Sequence, residues 1–280
     1  MSRKISQSEA IAVWQKELNK LATKILNSQM TEGEASKYLM EETKKLLNKI
    51  SEKIDYSKEV KIATQSYYNI YQKQLGKEAL DKQILLATDI QKEAFDKLLK
   101  DLPKDIRDAI VKDMKLVSNI VSTGQTTKEQ ATKQVLGSSG GMTIQTPKQG
   151  RWKLQNMLNL QMRETLKDTC LNIAENIGGE LNTDVYYIPA HAGARPGCYP
   201  SQEKFYHDGE DTRMKIDGKM VQVYNWSKLD VGIFPAMFDI RCRHLKFPVT
   251  PDMELSDIHK EKEGSLTDIK DVLNSKQVLY

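Results

Sequence analysis

No stretch of this sequence stays apolar for the roughly 18 residues that a bilayer-spanning helix needs, so a helical membrane span is excluded. Cysteine is scarce as well. Cys170, Cys198 and Cys242 are the only three, and an odd count without a secretion signal argues against a disulfide framework. The start, MSRKISQSEAIAVWQKEL, is basic, but charges soon interrupt its apolar positions, so it reads as an amphipathic helix and not as a signal peptide. The expected place of synthesis and folding is therefore a reducing cytoplasm. Nor does one sign of charge dominate: 42 Lys and Arg face 38 Asp and Glu, a net charge of +4. An excess that mild does not by itself argue for nucleic-acid binding. Internal repeats and long low-complexity tracts are missing too, so no repeat architecture is expected.

What is present is helix. The 280 residues suffice for one large domain or two ordinary ones. With 39% hydrophobic and 29% charged residues, the composition suits a protein with much exposed helix surface. Ile11, Trp14, Leu18, Leu21 and Ile25 recur every three or four residues and form one apolar helix face. Thr31 with Glu34 reads as a capping box that opens a second helix through Leu39, Leu46, Leu47 and Ile50. A third helix from about Ser57 carries Tyr67, Tyr68, Ile70 and Tyr71, whose hydroxyls are expected to reach water from a helix interface. Two further helices are expected at 78–100 and 103–122, with Pro103 in the first turn of the latter. Thr126 or Thr127 caps a short helix, and the glycine-rich GSSGGMTIQTPKQG that follows reads as a linker.

Beyond Arg151 the texture changes. RWKLQNMLNLQMRETLKDTCLNIAENIG forms an amphipathic helix with Trp152, Leu154, Leu158, Met162, Leu166, Cys170 and Ile173 near one side, and Gly178 and Gly179 end it. DVYYIPA, KFYH and KMVQVYNW are strand candidates, HDGEDTRMKIDG a solvated turn leading into a hairpin, and DIRCRHLKFPV a final strand. The expected fold class is α+β: an elongated all-helical N-terminal region, then a compact domain with a small, mostly antiparallel sheet. The expected segments are helical 1–136, linker 137–149, α+β domain 150–250 and a charged tail 251–280 that is flexible or docks on a partner.

The candidate site lies in the second half. HAGARPGCYP, from His191 to Pro200, has prolines that stiffen the backbone and glycines that permit tight bends. Later come Tyr206-His207 and Arg241-Cys242-Arg243-His244. On a strand, Cys242 and His244 share one face and Arg241 and Arg243 the other. Three readings stand open. In the first, His191 and Arg195 tie the loop to neighbouring strands and the cysteines are buried as small apolar groups, with no cofactor. In the second, Cys198, Cys242, His244 and either His191 or His207 hold zinc, although no CxxC knuckle or HxxxH pair is present. In the third, His191, His207 and His244 act as acid and base beside phosphate-clamping arginines, as in a metal-independent nuclease. GSSGG lacks the trailing GK[ST] of a phosphate loop. The lysine-rich helices are solvated faces, with weak phosphate contact to DNA as the minority reading.

The order of these pieces resembles the phage minor capsid protein 2 family, related to the Mu F-like head morphogenesis proteins of tailed phages. Gly150, Arg151 and Trp152 fit its helix start, and Arg163 and Thr165 approximate its arginine-threonine pair. His191, Gly193, Ala194, Arg195 and Pro196 fit its loop, Gln202 and Lys204 its Gln-Gly-Lys turn, and Cys242, Arg243 and His244 its late strand. Glu203 stands where glycine is usual, and the approach to Cys242 is longer and different. The resemblance covers roughly residues 148 to 250. It implies a structural, non-enzymatic head protein made in the host cytoplasm and carried in the virion, at the capsid interior or the portal vertex. Its implied partners are the portal protein and the major capsid protein, with nonspecific contact to genomic DNA as an addition and no membrane. A phage-delivered nuclease or toxin-like effector is the alternative.

Overall fold

The computed structural model describes residues 4–138, 143–146, 150–190, 196–229, 238, 242 and 244–259. Helices dominate and a small mixed sheet follows, so the class is α+β. The chain forms two compact units, neither contiguous in sequence: Met1–Asp55 with Glu93–Met162, and Tyr56–Lys92 with Arg163–Tyr280.

The first unit begins with α1 (Gln7–Asn27) and α2 (Glu32–Ser51), and the same device opens both. Ser6 accepts from the Glu9 N–H while the Glu9 carboxylate accepts from the Ser6 N–H. Thr31 and Glu34 repeat this reciprocal cap, as expected. Residues flanking the helices pair in parallel: the Ile5 N–H donates to the Lys53 carbonyl at 2.9 Å and the Asp55 N–H to the Ile5 carbonyl at 2.8 Å. Ile11, Trp14, Leu18 and Ile25 form the buried stripe of α1, with Ala10 and Ala22 between them; Leu21 is half-buried at its edge.

α3 (Tyr56–Leu75) and the first part of α4 (Lys77–Ser122) belong to the second unit, and α4 from Glu93 onward to the first. Phe95 of α4 stacks on Trp14, ring centroids 5.5 Å apart. One helix therefore runs where two were expected, with Pro103 inside it. Proline there removes the N–H that would have met the Leu99 carbonyl. Its neighbours Leu102, Ile106 and Ile110 are buried, so packing outweighs the lost bond. α5 (Lys128–Ser138) is capped by Thr127, which accepts from the Gln130 N–H while Gln130 accepts from Thr127. The Lys128 ammonium donates to the Ser28 carbonyl at the end of α1.

The stretch read as a linker contains β1 (Thr143–Thr146), antiparallel to β2 (Gly150–Lys153). Gly150, Arg151 and Trp152 therefore lie on a hairpin strand, Trp152 opposite Ile144, and the helix expected from Arg151 starts later, as α6 (Leu154–Glu180). Of the expected apolar stripe, Leu158, Met162, Leu166, Cys170 and Ile173 are buried on this helix, while Trp152 lies on β2 instead. Gly178 and Gly179 do not end the helix; they are in its last turn. Gly178 is needed there because a Cβ would lie 2.6 Å from the Tyr186 hydroxyl.

The second unit carries a five-stranded sheet: β3 (Tyr186–Ile188), β4 (Lys204–His207), β5 (Thr212–Ile216), β6 (Lys219–Asn225) and β7 (Phe247–Pro248). Their order is β5-β6-β4-β3-β7. The pairings are antiparallel except β4 with β6, where Phe205 lies beside Val223. Three of these strands stand where alternation placed them. β5 runs through part of the stretch read as a solvated turn, because Asp217 and Gly218, both at positive φ, close a two-residue hairpin from β5 into β6. The expected last strand shrinks to Phe247–Pro248; Cys242 and His244 precede it outside any strand.

β7 is a sheet edge, and side chains of α3 satisfy its free carbonyls. The Tyr67 hydroxyl donates to the Lys246 carbonyl at 2.9 Å and the Tyr71 hydroxyl to the Pro248 carbonyl at 2.7 Å. The tyrosine rings are buried, so these hydroxyls do not reach water as expected from their helical spacing. Burial pushes both hydroxyls well above their ordinary pKa, which keeps them proton donors. Tyr67 also stacks on Phe247 at 4.9 Å. Replacing Tyr71 by Phe leaves the Pro248 carbonyl buried without its donor. The expected loss is about 1–2 kcal/mol, read from the urea midpoint of the purified chain, and Tyr67→Phe should act on the same strand with a similar cost.

Candidate functional site

The site is assembled by the turn between β3 and β4. After Ile188 the chain returns through a 3-10 turn, Pro196–Ser201, and enters β4 at Lys204. Pro196 starts that turn, where its fixed φ suits the first position. The Glu203 N–H donates to the Ile188 carbonyl at 2.7 Å, closing the turn onto the end of β3. To make that bond Glu203 takes φ +56°, in the left-handed region. A side chain is disfavoured there and glycine is not, which supplies the physical reason for a glycine at this position of a Gln-Gly-Lys turn. Lys204 holds its ammonium 5.3 Å above the Tyr224 ring, on the adjacent β6.

Inside this turn sits Cys198, and Cys242 and His244 come to it from the segment ahead of β7. The two sulfurs and a ring nitrogen of His244 all lie within 4.8 Å of one another. All three residues are buried, with 2–3% of their surface exposed. Cys242 Sγ is 3.2 Å from His244 Nδ1, and His244 Nε2 is 2.6 Å from the side-chain amide of Gln202. Ile188 and Tyr206 pack with the cysteines, and Tyr224, Trp226, Leu229 and Phe238 border them. None of the three cysteines forms a disulfide. Cys170 is elsewhere, on α6 with its Sγ 3.5 Å from the Ala63 carbonyl, and burial pushes its thiol up to about 12. That thiol is a packing group and not a nucleophile.

Of the residues singled out from sequence, Cys198, Cys242 and His244 are brought together. His191, Gly193, Arg195 and Arg243 lie outside the described residues. His207 is half-buried in β4; its Nε2 is 2.7 Å from the Glu210 carbonyl and its Nδ1 3.9 Å from the Asp184 carboxylate. Arg163 lies on α6 with Nη2 3.8 Å from Glu164.

Three residues matter here in roles that sequence reasoning did not assign. Gln202 was visible only as part of a turn, yet it holds the histidine ring. Lys167, on α6, buries its ammonium between the Glu164 carboxylate at 2.6 Å and the Phe238 carbonyl at 2.7 Å. The i,i+3 spacing with Glu164 was its one sequence signal. Lys246 places its ammonium 4.6 Å from the Tyr186 ring and 5.2 Å from the Trp226 ring, and pairs with Glu175 at 2.7 Å. Trp226 in turn stacks on Tyr206 at 5.3 Å. Chemically, the cluster offers two soft sulfur donors and one imidazole in a buried pocket, held by an amide and bordered by aromatics.

The family model described as Phage minor capsid protein 2 matches residues 1–279. No curated protein and no solved structure matches the chain. Among the described residues, no helix is long and apolar enough to cross a membrane.

The left-handed Glu203 gives a direct test of the turn. Glu203→Gly should raise stability by about 0.5–1 kcal/mol, the relief of left-handed strain being partly offset by added freedom in the unfolded chain. Glu203→Val, β-branched, should lower it by about 1 kcal/mol or more. Urea denaturation of both variants beside the parent checks the opposite signs.

Proposed function

The chain belongs to the phage minor capsid protein 2 family, and on that premise we propose that it is a non-enzymatic head component that docks on the portal protein, on the inner face of the major capsid shell, or on both. Docking would take place during head assembly or DNA delivery. Membership of the family carries a structural role in a phage, a place in the virion and interaction with other phage head proteins. The observation behind the finer reading is the extent of the match, since it takes in the helical segments as well as the sheet.

Two features support docking in place of catalysis. His244, a buried polar group of the second unit, is engaged in holding chain to chain: it is 2% exposed and has both ring nitrogens occupied. A general base needs a substrate proton within reach of a ring nitrogen. His207 spends its Nε2 on the Glu210 carbonyl within its own turn. Meanwhile the helices expose large apolar side chains, Leu85 at 64% and Leu86 at 49% on α4, among charged neighbours. Side chains of this kind suit contact with a partner protein. Any contribution from genomic DNA would be electrostatic and sequence-independent, through exposed lysines, and would weaken steeply with salt.

Quantitative mass spectrometry of purified virions and of proheads tests the reading. The expected result is this chain in both, at few copies relative to the major capsid protein, with crosslinks to portal or shell. Absence from both particles overturns the proposal. Purified protein is expected to leave RNA and DNA intact; cleavage that disappears in His207→Ala would replace docking with the nuclease reading.

A further inference from the structure

We propose that Cys198, Cys242 and His244 bind one zinc ion, which fastens the 3-10 turn before β4 to the segment before β7. The donor set is that of zinc: two thiol sulfurs and an imidazole nitrogen, with no carboxylate in the group. The spacing also fits. Tetrahedral zinc, with bonds of about 2.3 Å to sulfur and 2.0–2.1 Å to nitrogen, holds sulfur and nitrogen about 3.5 Å apart and two sulfurs about 3.8 Å apart. Here Cys242 Sγ and His244 Nδ1 are 3.2 Å apart, and all three donors fall within 4.8 Å of one another. Displacements of about 1 Å in the donor atoms, reached by side-chain rotation, complete the geometry.

The surroundings are those of a ligand histidine. Gln202 meets Nε2 of His244 at 2.6 Å. The amide nitrogen of Gln202 faces that atom; a flip of the amide, which puts its oxygen there, lets Nε2 carry and donate the proton and leaves the Nδ1 lone pair on the side of the sulfurs. Tyr206, Trp226 and Phe238 keep the pocket apolar. Two thiolates cancel the charge of the ion, so the complex is neutral and burying it costs little beyond what the side chains already bear. On binding, each thiol gives its proton to solvent, two protons per ion, and the imidazole binds as the neutral base. The fourth position is taken by water or another donor. The ion is structural: it would join two segments whose backbone ladders are only two and three residues long at this place, β7 and β3.

This inference is independent of the docking proposal and survives or fails on its own. The test is elemental analysis of the full chain, expressed and purified in reducing buffer without chelator. The expected result is about one zinc per chain, retained by Cys170→Ser and lost by Cys198→Ser and by His244→Ala. Chelator treatment should lower the melting temperature, and added zinc, but not magnesium, should restore it. Because the cluster variants risk misfolding, the parent protein is also loaded with cobalt(II): thiolate-to-cobalt charge-transfer bands and a tetrahedral visible spectrum are expected. Less than about 0.1 zinc per chain after adding zinc to the reduced, folded protein would overturn the inference. So would a disulfide between Cys198 and Cys242 in freshly isolated protein, or full zinc content in both cluster variants.

Discussion

Two tyrosine hydroxyls decide how the second unit closes. Tyr67 and Tyr71 are one helical turn apart on α3, so they present their hydroxyls side by side to one edge of the sheet. That edge is β7, only two residues long, paired with β3 on one side. Without donors on its outer side the Lys246 and Pro248 carbonyls would be buried and unmet, a cost comparable to the net gain of the short ladder itself. The tyrosines supply those donors. With β7 held at this edge, Cys242 and His244, which precede it in the chain, meet the turn that carries Cys198.

The same segment is gripped from its other side by charge. Lys246 lies between the faces of Tyr186 and Trp226 and reaches Glu175 on α6. Lys167, also on α6, reaches the Phe238 carbonyl. Both lysines bury most of their stems, and both ammonium groups end on acceptors, the condition under which burying a charge is tolerated. Alternating strands and amphipathic helices would leave this region loosely specified, because its strands are short. Directional polar contacts between named groups give it a single arrangement.

The helical segments follow a simpler logic. Reciprocal caps at Ser6–Glu9, Thr31–Glu34 and Thr127–Gln130 fix where three helices begin. Stripes of apolar residues at helical spacing then decide which face turns inward, as in the stack of Trp14 on Phe95. The exposed faces are charged and of mixed sign, with i,i+3 and i,i+4 pairs such as Lys20–Glu17 and Lys133–Glu129. Pairs of that kind, exposed to solvent, add little stability.

Helix faces, caps and three of the strands were legible in the sequence because each depends on residues within about one turn or one pleat of one another. The set Cys198, Cys242 and His244 was legible as chemistry, as one of several possible groupings of four histidines and three cysteines. Other features depended on distant partners and were not legible. Pro103 looked like a helix start, and only the burial of Leu102 and Ile106 carried the helix through it. Tyr67 and Tyr71 looked like interface residues with wet hydroxyls, but carbonyls nearly 180 residues away accept their hydrogen bonds. Cys242 and His244 looked like strand residues, although the strand begins only at Phe247. By itself the sequence determined local conformation and the chemical vocabulary of the site. Tertiary structure alone decided which groups meet, because a hydrogen bond or a ligand sphere between remote segments has no periodic trace along the chain.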